Sequence, residues 1–544
     1  MDPERLGAFH QTRLSFVRCL MRRMAKERWT IEREYIDVAL TNEGEARYRI
    51  ETPEGTYTFL ALAHRISEDE RTDRAIAERW DYTFCIHDGI PAEEDMLRLR
   101  ENVPLQDYGR YTSDELVISR ANKSVRLFEK VVAGLAKGVQ PEPAWFVDVG
   151  YLVRTTAVFA NGFYGMADYA RLCQNSAFPQ PFAVQMLTVY LVRLFSVDLV
   201  DHFAQKRSPN SAVPLSRQTR RFVGVGNATG LGMAPFLIEH PGVLHSWIAA
   251  REEALSRVLE QPEPSAECFQ RFQILLERTI QHVQEWHTSD DQQTEKNSQL
   301  GTELKEVKSL QLPTQFPWRH LAGHAGQNFT LETQEMLHSI IMELYPELVD
   351  DLECTGATDA TPRIYPQRRL SNLKHQLEEQ YDWATGLNYE EAEQLHFFWY
   401  KSAMKAEPRI GTCGVDPGDD REMIVDMGRD VSKLYRALSN LSTQELTGSI
   451  ARFLLSNPEH RAAVQRVHSL ERWPYGEIRA NLTAKDCVPL KLLRCKLSFF
   501  GTVKYDPKSD LWLRITLFQG APLPDELLDA DYDHDDWFAP VSKA

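Results

Sequence analysis

The sequence predicts an α+β protein that is predominantly helical, with an N-terminal antiparallel β meander and a C-terminal β-hairpin. Three observations lead to this prediction. Apolar and polar residues alternate from Trp29 to His87, apolar residues recur at helical spacing through the middle of the chain, and two apolar runs flank a turn at 505–510. An isolated two-stranded hairpin is only marginally stable, so we expect the strands at Tyr57–His64 and Leu511–Phe518 to share one sheet.

The N-terminal part begins with a basic amphipathic stretch, Leu14–Trp29. It predicts a first helix that packs on the core with a solvated basic face, and binding to an anionic membrane is the alternative. After it, period-two alternation predicts four strands, at 30–40, 46–52, 57–64 and 82–87.

The rest of the chain is expected to be mainly helical until the final hairpin, whose first strand is predicted at Cys495–Lys504. A polar stretch, Thr288–Leu312, predicts a mobile linker, because it offers little apolar surface to bury. The helices are predicted at 113–137, 182–205, 239–261, 264–286, 331–352, 389–405 and 423–470.

A chain of 544 residues exceeds what one hydrophobic core usually supports, so two or three subdomains are expected. The composition, 43% hydrophobic and 26% charged, is typical of globular proteins. We place the segments at 1–110 (helix and meander), 111–287 (helical domain), 288–312 (linker), 313–490 (second helical region) and 491–544 (hairpin and acidic tail).

The net charge and the spacing of the cysteines limit the classes of protein to which this chain can belong. The formal net charge of −16 argues against a nucleic-acid partner, which normally requires a basic surface. The eight cysteines show no CxxC spacing and no signal peptide precedes them, which predicts a soluble cytoplasmic protein without disulfides. Phe182–Val200 is interrupted by Gln185, Arg193 and Asp198 and is interpreted as a core helix, so no membrane span is expected.

The segment from Arg217 to Pro235 combines three arginines with closely spaced glycines. Glycines let backbone N–H groups approach a ligand, and a following helix start would direct partial positive charge at an anion. Arg220 and Arg221 would add bidentate contacts to a carboxylate or phosphate. The candidate substrate-binding residues here are Arg220, Arg221, Gly226, Asn227, Thr229 and Gly230. Tight packing of the glycines is the alternative.

Gly226-x-x-x-Gly230-x-Gly232 follows the apolar run Phe222–Val225 and resembles the glycine motif of short-chain dehydrogenases. The resemblance covers about ten residues and implies a nicotinamide cofactor, NAD(P). The Tyr-x-x-x-Lys pair of that family is absent from the chain.

Three further groups are candidates. Arg154 lies in an apolar stretch that ends at Asn161-Gly162, so it requires a buried carboxylate, from the protein or from a ligand, and both residues join the substrate-binding set. His396, Tyr400 and Lys401 would lie together on a helix and are the catalytic candidates, with core packing as the alternative. His320 and His324 have i, i+4 spacing, but the glycines around them argue against a helix, and no metal ligand is assigned.

These residues predict an intracellular enzyme that acts on a small anionic metabolite, a carboxylate or a phosphate, and that requires no metal. The reaction class and the cofactor are left open. An NAD(P)-dependent oxidoreductase and a non-catalytic ligand sensor or scaffold are the alternatives. The expected partner is the small anion, and a homo-oligomer is left open.

Overall fold

The computed structural model describes residues 11–67, 79–105, 112–155, 172, 174–230, 241–352, 363–386, 398–402, 409–411, 422–424, 427–477, 497–509, 512–530 and 536–542. The chain divides into two compact units. The first, called here the sheet unit, contains residues 7–230, 251–355 and 496–544. The second, the helical unit, contains residues 1–6, 231–250 and 356–495.

A nine-stranded mixed sheet organises the sheet unit. Its strands are β1 Thr30–Val38, β2 Gly44–Thr52, β3 Gly55–Ala63, β4 Tyr82–Asp88, β5 Glu115–Lys123, β6 Tyr151–Thr155, β7 Gly224–Gly230, β11 Lys504–Ser509 and β12 Trp512–Leu517. They lie in the order β1-β2-β3-β4-β5-β6-β7-β12-β11, and every neighbouring pair is antiparallel except β6 and β7. The predicted meander is confirmed, as is the prediction that β3 and β12 share one sheet.

Helices also belong, wholly or partly, to the described part of the sheet unit. They are α1 Phe16–Lys26, α2 Glu93–Leu105, α3 Leu127–Ala136, α4 Trp145–Asp148, α5 Ala183–Arg207, α6 Arg217–Phe222, α7 Pro241–Leu259, α8 Ala266–Gln284, α9 Asp291–Val307, α10 Pro317–Asn328, α11 Leu331–Glu343, α12 Pro346–Val349 and α18 Pro524–Leu527. Helix α7 belongs partly to each unit, because the division falls after residue 250.

Helix α5 is the central core element of the sheet unit. It connects the parallel strands β6 and β7, as parallel pairing requires a crossover connection. Its Phe195 ring contacts the rings of Tyr82 and Phe84 on β4, with centroid distances of 5.2 and 5.7 Å. The helix is long and apolar enough to cross a membrane, but its most apolar window is entirely buried in the protein. This agrees with its interpretation as a core helix.

Arg193 joins α5 to two other parts of the sheet unit. Its buried guanidinium donates hydrogen bonds to the carbonyl oxygens of Val223 (2.7 Å) and Arg221 (2.6 Å), just before β7. It also donates to Ala521 (2.7 Å) and Pro522 (3.2 Å), just after β12. Burial lowers the pKa of Arg193 to about 10, so the side chain stays charged at neutral pH.

The basic face of α1 is solvated only in part: Lys26 and Arg28 are exposed, but Arg18 is not. Arg18 is fully buried and donates to Glu343 on α11 at 2.8 Å, and Arg13 donates to the same carboxylate at 3.2 Å. Paired carboxylates make burial of these arginines tolerable, because a charge without a partner would cost several kcal/mol inside the protein.

One linker prediction and one helix prediction are wrong for a common reason. In both segments, the burial of apolar side chains decides the structure more than the average composition does. The predicted linker Thr288–Leu312 contains α9, whose Leu300, Leu304 and Val307 recur at i, i+4 and i+7 and are buried. The predicted helix at 113–137 is instead strand β5 followed by α3, since the run Leu116 to Ile118 is buried in the sheet.

The C-terminal hairpin starts later than predicted. Residues 497–500 are helical, and the first strand runs over Lys504–Ser509, including most of the predicted turn. The three cysteines that the structure describes, Cys19, Cys85 and Cys268, form no disulfide bond, as predicted.

The helical unit has its own core and a small sheet. Its strands are β8 Phe398–Ser402, β9 Arg409–Gly411 and β10 Glu422–Ile424, in the order β10-β8-β9. Its further helices are α13 Leu370–Gln380, α14 Asp382–Thr385, α15 Met427–Ser439, α16 Ile450–Ser456 and α17 Arg461–Ser469. The core packs Leu373, Leu377, Leu434 and Val464 together, and the buried Arg466 pairs with Glu477 at 2.7 Å.

We expect Arg193→Leu to lower the free energy of unfolding by about 3 to 5 kcal/mol, because several buried carbonyl oxygens lose their donor. Urea denaturation measures this change. Arg207→Ala is the matched control at the end of the same helix: its partly exposed ion pair with Glu129 contributes less than about 1 kcal/mol. Equal effects of the two substitutions would show that Arg193 has no special role.

His282 on α8 is expected to make stability depend on pH. It is fully buried between the carbonyl oxygens of Pro540 and Val503, and burial lowers its pKa to about 3. The unfolded chain takes up a proton near pH 6.5 that the folded chain does not, so stability present above pH 6.5 is lost as the pH falls towards 3. Between pH 7.5 and 5 we expect a loss of about 2 kcal/mol from this group.

The measurement is urea denaturation at pH 7.5 and pH 5 of the wild type and of His282→Gln. Glutamine cannot be protonated, so the variant should lose about 2 kcal/mol less over this range. An identical pH dependence in both proteins would contradict the assignment to His282.

Candidate functional site

The structure gives Arg220 and Arg221 protein carboxylates as partners. They lie on the short helix α6, where Arg220 pairs with Asp198 and, at 2.7 Å, with Asp201. Arg221 pairs with Asp536 and contacts Glu526 at 3.6 Å. Both arginines therefore connect elements of the sheet unit in this structure, and their role in binding a substrate stays a prediction.

The glycines after α6 lie in a strand as far as Gly230. Gly226 is inside β7 and is paired with Arg154 on β6 and Thr516 on β12, and Gly230 is the last residue of β7, paired with Trp512. Residues 231–240 are outside the described residues, so the expected helix start after the glycines stays a prediction. Asn227 is buried and donates from Nδ2 to the carbonyl oxygen of Thr155 at 2.8 Å, and Thr229 pairs with Leu513. Gly232 is outside the described residues. The dinucleotide alternative is thus left without a phosphate-binding turn in the described part of the chain.

The glycines instead leave one face of β7 with little side-chain bulk. A Cβ atom at Gly226 would lie 2.5 Å from ring atoms of Tyr151 on β6, so only glycine allows this ring to lie against the strand. The register places Arg154, Gly226, Thr516 and Lys504 side by side across β6, β7, β12 and β11. Neighbouring residues in register share a face of the sheet.

Two adjoining cavities open on this face, and they share Asp148, Val149, Tyr151 and Arg514. The larger, called here the basic cavity, has a volume of about 530 Å³. Five basic residues and a single acidic one, Asp148, line it; the basic residues are Lys123, Arg126, Lys130, Arg154 and Arg514. This is a local reversal of charge in a chain whose net charge is −16.

Aromatic and acidic neighbours position two of these cations. Lys130 lies over the ring of Trp145 with its Nζ 3.6 Å from the centroid, a cation–π contact at the cavity wall. Lys123 is 4.0 Å from the buried carboxylate of Asp81, which offsets part of its charge. The apolar surroundings of Arg154 in the sequence made it a candidate binding residue. Nothing in the sequence indicated that the other basic residues would line the same cavity.

The start of helix α3 also contributes to the basic cavity. Residues Ser124 to Leu127 line it, and no side chain caps the first turn of α3. The Oγ atom of Ser124 is buried with no hydrogen-bond partner among the described residues. A helix N-terminus carries partial positive charge and N–H donors, so it favours an anion at this point.

The smaller cavity, called here the lysine cavity, has a volume of about 300 Å³. Lys504 on β11 lines it and is 6% exposed; its Nζ donates to the carbonyl oxygen of Glu285 at 3.2 Å. Burial lowers the pKa of Lys504 to about 8. On the same wall, His287 Nδ1 lies 3.1 Å from the carboxylate of Asp148.

The structure describes two of the three predicted catalytic residues, and the catalytic role of the group stays a prediction. Tyr400 and Lys401 lie in strand β8 of the helical unit, so the helical spacing that grouped them does not apply. His396 and Asn161 are outside the described residues. His320 and His324 do lie on a helix, α10, contrary to expectation. In the described ranges, no group of three or more His, Cys, Asp or Glu side chains could hold a metal ion.

Comparison with known proteins gives no relative: no protein family, no curated protein and no solved structure matches the chain.

Gly226→Ala tests whether the Tyr151 ring requires glycine at this position of β7. The added methyl group collides with the Tyr151 ring, and we expect a loss of about 1 to 3 kcal/mol in the free energy of unfolding. Gly55→Ala at the start of β3 is the matched control, because a Cβ there meets no atom within 4 Å, and it should be neutral. Thermal denaturation of both variants measures the difference; if Gly226→Ala is as stable as Gly55→Ala, Tyr151 does not depend on the glycine.

Proposed function

We propose that this protein binds a small anionic metabolite, bearing phosphate or carboxylate groups, in the basic cavity and acts on it as an intracellular enzyme. The convergence of five basic residues against one acidic residue on a cavity of about 530 Å³ is the observation that carries the proposal. A cavity of this volume lies within the range of small-molecule sites.

The positions of the cations favour a ligand with more than one negative charge. Arg154 and Arg514 come from strands on either side of β7, and Arg126 directly precedes α3 on another part of the wall. Guanidinium groups bind carboxylates and phosphates through paired hydrogen bonds, and the α3 N-terminus adds N–H donors. A ligand such as a phosphorylated or dicarboxylic metabolite would contact several of these groups at once.

The adjoining lysine cavity supplies groups that exchange protons, which favours an enzyme over a passive binder. His287 and Asp148 are paired at its wall, and Lys504 is held in a buried position beside them. Such side chains next to an anion-binding wall are the arrangement in which acid–base catalysis operates.

We expect Arg154→Gln to weaken binding of pyrophosphate about 10- to 100-fold, the loss of one charge-assisted interaction of about 1.5 to 3 kcal/mol. Calorimetric titration with pyrophosphate, and separately with citrate, measures the affinity. Glutamine keeps much of the side-chain length, so loss of packing is limited.

Two control variants locate the site. Arg217→Gln removes a cation that is largely exposed and pairs with Asp525 outside both cavities, and it should leave the affinity unchanged. Arg221→Gln tests the arginine and glycine segment directly. If Arg221→Gln weakens binding while Arg154→Gln does not, the site is that segment and the proposal for the basic cavity is refuted. Anion binding without turnover of any bound metabolite favours the sensor alternative.

A further inference from the structure

The lysine cavity contains an amine, an acid–base pair and an anion-binding wall within one continuous surface. Lys504 and the His287–Asp148 pair line it, and Arg514 belongs to this cavity and to the basic cavity alike. A ligand whose anionic group contacts Arg514 therefore places the rest of its structure next to Lys504.

Lys504 differs from a surface lysine in position and in protonation. It is almost completely buried, it faces Thr516 across the β11–β12 pair, and a backbone carbonyl, that of Glu285, accepts its hydrogen bond. Because burial lowers its pKa to about 8, about a quarter of the amine is neutral at pH 7.5. The neutral amine is the nucleophilic form.

We propose that Lys504 forms an imine with an aldehyde or ketone that carries a carboxylate or phosphate group, the anionic group being held by the basic cavity. This inference rests on the proposed function for the anion, and it adds the chemical class of the substrate and the residue that reacts with it.

The reaction is balanced without a redox partner. The lone pair of the Lys504 amine attacks the carbonyl carbon, and the carbonyl oxygen takes up a proton to give a carbinolamine. The nitrogen then loses a proton, the hydroxyl group is protonated, and it leaves as water when the carbon–nitrogen double bond forms. His287, oriented by Asp148, is the group at the cavity wall that donates and accepts these protons. Addition of water reverses the sequence and releases the carbonyl compound.

The test is reductive trapping of the full-length protein with 4-oxobutanoate, an aldehyde with a carboxylate, in the presence of cyanoborohydride. Peptide mass spectrometry gives the labelling rate at each lysine. Lys206 is the internal control, because its Nζ also donates to a backbone carbonyl, that of Val38, but lies outside both cavities. We expect Lys504 to be labelled at least ten times faster than Lys206, with a rate that levels off above pH 8.

Substitutions and a neutral probe complete the experiment. Lys504→Arg should abolish the fast labelling, and Lys206→Arg should leave it unchanged. Butanal, which has the chain length but no charge, should label Lys504 at least ten times more slowly than 4-oxobutanoate does. Labelling of Lys504 no faster than Lys206 in the wild-type protein overturns the inference, whether or not Lys504→Arg folds.

The result separates the two proposals. If pyrophosphate binds through Arg154 but Lys504 is not labelled preferentially, the imine inference fails and the anion site stands. A different result is that butanal and 4-oxobutanoate label Lys504 equally fast, and that pyrophosphate neither binds to the protein nor protects Lys504. The amine is then reactive, but the anion site is wrong. The inference that the protein selects an anionic substrate is then wrong as well.

Discussion

The buried guanidinium of Arg193 is the interaction on which the sheet unit depends most. It lies on the central helix α5 and satisfies carbonyl oxygens from the residues that lead into β7 and from those that follow β12. These two strands are neighbours in the sheet although they are far apart in the chain. A single charged side chain thus fixes the relative position of three segments, and one of the two strands, β12, carries Arg514, which lines both cavities. Because the donors are distributed over several acceptors, no acceptor can shift without leaving a polar group unsatisfied inside the protein.

The electrostatics of this chain depend on where charges are paired. Most of the arginines described above face carboxylates: Arg18 with Glu343, Arg220 with Asp198 and Asp201, Arg466 with Glu477. The lining of the basic cavity as a whole holds five basic residues and one carboxylate. An overall negative charge repels anions at long range, but the Debye length of about 8 Å at physiological ionic strength limits that repulsion to the vicinity of the surface. Within the cavity, a local excess of positive charge favours an anion over a cation.

The sequence predicted the strands of the meander and the main helices, because alternation and helical spacing are local properties of a chain. It could not predict which cations converge: Lys130, Arg154 and Arg514 are brought together by strand pairing and helix packing between distant segments. The glycine segment has the period of a strand and not of a loop. Gly224, Gly226 and Gly230 fall at even intervals, which is the spacing of one face of a strand, and the structure places them in β7. Helix α9 is polar in composition, and only Leu300, Leu304 and Val307, at helical spacing, show that one face of it is buried.

The insertion of β12 between β7 and β11 has a consequence for the order of folding. The strands from β1 to β7 are complete when residue 230 has been synthesised, yet the free edge of β7 receives its partner only after residues 231–511 have followed. Until then the growing sheet ends in an unpaired, glycine-rich edge with a full row of open N–H and C=O groups. Closing a loop of this length is slow compared with local helix formation, so the nascent chain exposes this edge for much of its synthesis. Glycine at alternate positions gives such an edge little apolar surface to offer another chain, which limits intermolecular strand pairing during that interval.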